Sequence, residues 1–88
     1  MIKKNLYSHC FYAECPSNGL LIQYNLVIET HRMIDVLDIQ KITDRFKEGY
    51  HEEFADALFI TFMGHQTMKA DHHGFSITTI RSEKLVES

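Results

Sequence analysis

The stretch Tyr50-His51-Glu52-Glu53-Phe54-Ala55-Asp56-Ala57-Leu58-Phe59-Ile60-Thr61-Phe62-Met63 decides the fold, because it reads in two ways. As a helix it sets Phe54, Leu58 and Phe62 at i, i+4 and i+8, with Ala55, Phe59 and Met63 in an adjacent row. Glu52 and Glu53 then lie in the first turn, where carboxylates suit the positive end of the dipole. Gly64 stands where a C′ glycine is expected. Against this, Leu58-Phe59-Ile60-Thr61-Phe62 has the chemistry of a buried strand. The helix is preferred, since its periodicity runs through the whole stretch.

Upstream, Ile39, Ile42 and Phe46 recur at i, i+3 and i+7 and predict a first helix over about 38–48. Asp35 and Asp38 are both suitable N-caps, and Gly49 would be its C′ residue. Met33 to Leu37 fits either a short strand or a helix start. Further upstream, Leu20, Ile22, Tyr24, Leu26 and Ile28 alternate with Leu21, Gln23, Asn25, Val27 and Glu29, the period of a strand at about 20–30. Cys15-Pro16-Ser17-Asn18-Gly19 is a turn sequence, so residues 5–14 form the other arm of a hairpin. Downstream, Ser76 to Ile80 is β-branched, and His65 to Asp71 pairs with it through Asp71-His72-His73-Gly74. The order β-β-α-α-β-β predicts a single α+β domain over 1–88: an antiparallel sheet with two helices on one face.

Composition narrows the function classes. With 88 residues, the chain buries only about 60–65% of its unfolded surface, so its core is thin. A net charge of -3 argues against direct nucleic-acid binding. Met1-Ile2-Lys3-Lys4 is followed by no apolar run of signal-peptide type, and no stretch reaches the ~20 apolar residues of a membrane span. Cys10 and Cys15 on extended chain would stand about 16 Å apart at ~3.3 Å per residue, too far for a disulfide. A cytoplasmic protein with reduced thiols is expected.

Several features could carry chemistry. Cys10, Cys15, His72 and His73 have zinc-ligand identities, but Cys-x4-Cys on a strand and two adjacent histidines do not converge, so neither metal nor cofactor is expected. Cys15, at a turn, is open to reaction if a cation or helix end lowers its pKa, and His51 with Glu52 is the best partner pair. From Glu48 through Met68 there are acids (Glu48, Glu52, Glu53, Asp56) and no lysine or arginine, a face that could dock on a basic partner. Leu58 to Met63, apolar nearly all round, suggests a homodimer packed through Phe59, Ile60 and Met63. The six histidines have no common explanation in the sequence.

The element order resembles the tunnelling-fold enzymes of pterin and deazapurine metabolism. Cys10, Pro16, Gly19, Phe54-Ala55-Asp56-Ala57-Leu58 and Ala70-Asp71-His72 are spread like landmarks of GTP cyclohydrolase I. That family follows its zinc cysteine with a histidine pair, and Ala13 stands here instead, so its metal site is absent. Cys15-Pro16 and Tyr50-His51-Glu52-Glu53 resemble the nucleophile and His-Glu pair of the nitrile reductase of queuosine synthesis. The aspartate expected seven residues after the cysteine is Ile22.

The leading expectation is a small non-enzymatic module that binds another protein. Its surfaces would be Glu48, Glu52, Glu53 and Asp56, with dimerisation through Phe59, Ile60 and Met63. An inhibitor of a host nucleic-acid-binding machine fits that description by analogy. The alternative is a small tunnelling-fold-like enzyme using Cys15 with His51 and Glu52.

Overall fold

The computed structural model describes Met1 and residues 3–83. The chain runs β1 (Asn5–Glu14), β2 (Leu21–Thr30), α1 (Val36–Thr43), α2 (His51–Phe62), β3 (His65–His72) and β4 (Phe75–Ser82). The strands form one antiparallel sheet in the order β1-β2-β3-β4, with the helices on one side. The deciding stretch is helical.

Alternation divides the sheet into two faces. Phe11, Ala13, Ile22, Tyr24, Leu26, Ile28, Met68 and Ala70 point inward and are buried against Ile39, Phe54, Ala55 and Leu58 of the helices. Among the described residues nothing covers the other face, whose exposed residues include Leu6, Tyr12, Leu21 and Ile80. Apolar burial on α2 is confined to one side: Leu58 is 0% exposed and Ile60 76%. Among the described residues, no helix is long and apolar enough to cross a membrane.

The first helix differs from its expected span of 38–48. It starts earlier because the Asp35 carboxylate caps the Leu37 N–H at 3.0 Å. It ends at Thr43 because the chain tightens there: Arg45 N–H bonds the Ile42 carbonyl and Phe46 N–H the Thr43 carbonyl. That turn sends Phe46 inward to stack on Phe54 with ring centroids 4.5 Å apart. Tertiary packing of one aromatic thus overrides the continuing helical pattern. Gly49 is not a helix cap. Its N–H bonds the Glu14 carbonyl, and a Cβ there would stand 2.7 Å from the Phe54 ring. Gly64 does follow α2, at φ +77, and a Cβ would lie 2.8 Å from the Glu29 carbonyl oxygen.

The connectivity has one further consequence. The β1–β2 loop, the α1–α2 connection and the β3–β4 turn all lie at the same end of the sheet, because each follows an element running in that direction. The connection at 47–49 is tied to the end of β1 by Glu14 N–H to the Lys47 carbonyl, 2.9 Å.

Candidate functional site

The β1–β2 loop is closed on itself. Cys15 N–H donates to the Leu20 carbonyl at 2.9 Å, and Gly19 N–H to the Cys15 carbonyl at 2.8 Å. The half-buried Cys15 thiol has its pKa lowered, first by a hydrogen bond with His73, then by the backbone at Ser17 and Asn18. N–H groups curled around an anion stabilise it without a formal charge.

His73 comes from the opposite hairpin. The β3–β4 turn has His73 at φ 54 and Gly74 at φ 87, the positive pair that a two-residue hairpin turn of the primed kind requires. A histidine in the left-handed region is uncommon. Here it carries the ring to the Cys15 loop, where the Asn18 amide Nδ2 donates to His73 Nε2 at 2.7 Å. The Asn18 orientation follows from its Oδ1, which accepts the Leu20 N–H at 3.0 Å. In a neutral ring with Nε2 accepting, the proton sits on Nδ1.

His51 begins α2 and is 2% exposed. Its Nε2 lies 3.1 Å from the Met68 carbonyl and 3.2 Å from Thr79 Oγ1. A carbonyl only accepts, so Nε2 carries the proton. Nδ1, 3.1 Å from His72 Nε2, must therefore accept from His72. Burial is the chief cause that holds the His51 pKa below its ordinary value, with the nearby His72 acting the same way. The Met68 carbonyl and Glu52 oppose the shift, and Arg81 adds to it.

This arrangement makes stability pH-dependent. The unfolded chain protonates His51 near its ordinary 6.5, and the folded chain resists it. The unfolded state then binds more protons between the two values. The full stabilisation is present above about pH 6.5 and is lost as pH falls below it, with a slope of up to about 1.4 kcal/mol per pH unit. Glu29 and Glu83, whose pKa values are lowered by Lys4 and Arg32, act below their ordinary 4.5 and so outside this window. Urea midpoints between about pH 7.5 and 5.5 should fall for the natural chain and stay nearly flat for His51→Gln. An equal slope in both would show that another group titrates.

Cys15, Pro16, Tyr24, His51, Glu52 and His72 share the lining of one pocket of about 180 Å³, with His73 and Ile77. Tyr24 is 0% exposed and sits among rings: Phe11 at 5.0 Å, Phe54 at 5.3 Å, His51 at 5.4 Å and His72 at 5.7 Å between centroids. This volume is below the ~300–1,000 Å³ of drug-sized ligand sites. A larger cleft of about 560 Å³ lies at the opposite helix ends, where Arg32, Lys41 and Arg45 mix with Asp35 and Asp38. It holds neither a thiol nor a histidine.

The acidic residues are distributed differently from one another. Glu52 lines the Cys15 pocket, Asp56 pairs with Arg81 at 2.8 Å, and Glu53 turns back toward the Tyr50 N–H. Glu48 is exposed in the α1–α2 connection. Of the apolar set, Phe59 is half-buried, while Ile60 and Met63 are exposed. Cys10 faces away from Cys15 on the uncovered side of β1, accepting from Gln23 Nε2 at its sulfur. Among the described residues, no group of three or more His, Cys, Asp or Glu side chains is placed to hold a metal ion.

The sequence offers His73 only within the non-converging zinc-ligand set Cys10, Cys15, His72 and His73, and it gives Tyr24 no site role. Tyr24 sits in an apolar alternation that hides its hydroxyl, and His73 looks like an ordinary turn residue. The His-Gly pair of the turn was the available signal for the second.

Compared with known protein families, curated proteins and solved structures, the chain matches none.

Proposed function

We propose that this protein carries a tunnelling-fold-like site that captures an electrophilic nitrogen heterocycle, of pterin or deazapurine type, covalently on the Cys15 thiol. One observation carries the reading: Cys15, His51 and Glu52, paired from the sequence alone, line a single pocket with the thiol pKa held down. The resemblance to the nitrile reductase of queuosine synthesis supplies the electrophile, a ring-bound nitrile.

In this reading the Cys15 sulfur adds to the nitrile carbon. A carbon–sulfur bond forms and one π bond breaks. The electron pair moves to nitrogen, which takes up the proton that the thiol releases. The product is a thioimidate, and no atom is lost. His73 stabilises the thiolate by hydrogen bonding. Glu52 accepts ring N–H donors, for which a carboxylate with two oxygens is suited. His51 acts through His72, which it holds with a defined donor toward it. Ile22 removes the carboxylic acid that the resemblance implies beside the thiol. The proposal therefore extends to covalent capture and not to reduction.

The test is intact mass spectrometry after incubation with a 7-cyano-7-deazapurine at neutral pH. The expected result is a gain equal to the whole ligand mass, mapped to Cys15, with Cys10 unmodified. Absence of adduct in a sample whose Cys15 iodoacetamide still alkylates would overturn the reading.

A second reading keeps the protein as a protein-binding module, dimeric through Phe59, Ile60 and Met63 and acidic at Glu48, Glu52, Glu53 and Asp56. The 76% exposure of Ile60 favours it. A monomer in sedimentation at high micromolar concentration would remove its dimer.

A further inference from the structure

Among the described residues, the buried Tyr24 hydroxyl has no hydrogen-bond partner. A buried hydroxyl left unpaired costs stability, and phenylalanine would fill the same place without that cost. The ring packs against Phe11, Phe54, His51 and His72, contacts that a phenylalanine ring would also make. The residue lies on the inner face of β2 and belongs to the lining of the Cys15 pocket. Cys15 and Glu52, both ionisable, line the same pocket. Burial first, and those two charges second, push its pKa up to about 12, so the hydroxyl keeps its proton at any physiological pH.

We propose that Tyr24 is a ligand-binding residue of the pocket, whose hydroxyl donates a hydrogen bond to the acceptor atom of the electrophile that Cys15 attacks. The inference rests on the covalent reading of Cys15 and adds the group that receives the developing negative charge. As the sulfur adds to the nitrile carbon, the electron pair collects on nitrogen, and a fixed donor strengthens its hold as that charge grows. Tyr24 stands two residues after Ile22 on the same strand face and, unlike Ile22, belongs to the lining of the pocket. The unmet hydrogen bond in the free protein is satisfied when ligand binds.

Tyr24→Phe separates this role from a structural one. The variant should form the 7-cyano-7-deazapurine adduct at least tenfold more slowly. It should label with iodoacetamide, which needs no such donor, at the natural rate. Its melting temperature should rise by about 4 °C, because an unpaired buried hydroxyl has gone. An unchanged adduct rate in Tyr24→Phe overturns the inference and leaves the Cys15 reading intact. Equal slowing with both reagents also overturns it, since Tyr24 would then act only on the thiol. A fall in melting temperature would show that the hydroxyl has a partner within the fold, and it too would overturn the inference. A natural chain inert to the nitrile fails at Cys15 itself, a separate result.

Discussion

Leu58→Ala should destabilise the fold by about 3–5 kcal/mol, the upper part of the range for a leucine lost from a packed core. Leu58 is 0% exposed and meets the inner sheet face from the middle of α2. A domain of this length has a total stability of roughly 4–13 kcal/mol, at about 0.05–0.15 kcal/mol per residue. The melting temperature should fall by about 4–8 °C for each kcal/mol lost. Ile60→Ala, on the exposed side of the same helix, should change stability by about 0.5 kcal/mol or less. Urea unfolding of both variants checks the pair. A larger loss at Ile60 than at Leu58 would mean that α2 is covered on its outer side in solution, as in the dimeric reading.

If Cys15 captures a nitrile as proposed, Cys15→Ser should abolish that capture, with a loss on the order of a thousandfold or more, because an unassisted hydroxyl is a weak nucleophile at neutral pH. The fold should tolerate it, since the loop is closed by backbone hydrogen bonds and by Asn18 rather than by the sulfur. His73→Gln is the companion variant. It removes the first cause of the lowered thiol pKa and should shift the pH profile of alkylation upward, about tenfold slower at neutral pH for each unit of rise. Iodoacetamide rates measured against pH read both variants. A profile unmoved by His73→Gln would assign the activated thiol to the Ser17 and Asn18 backbone alone.

Much of the fold was legible because its signals are local. Period-two alternation between Leu20 and Glu29 marks a strand wherever that strand ends up, and Pro16 to Gly19 mark a turn. The α1 boundary was not legible. Its end depends on Phe46 finding Phe54, a contact made only after α2 docks. The acidic run from Glu48 to Met68 is continuous in sequence but not as a surface, because Asp56 meets Arg81 of β4 and Glu52 turns to the pocket.

The histidines show the division most clearly. By itself the sequence determined the element order and the sheet with helices on one face, and it offered Cys15 with His51 and Glu52 as the alternative to a protein-binding surface. Only the tertiary structure set these three residues in the lining of one pocket. It also gave His51 its burial and its fixed tautomer through Met68 and His72, and it brought His73 to the thiol across two hairpin turns. The reason is physical. Alternation, helical period and turn chemistry are short-range and are written residue by residue. A pKa or an unpaired hydroxyl depends on which distant groups the folded chain brings within a few ångströms.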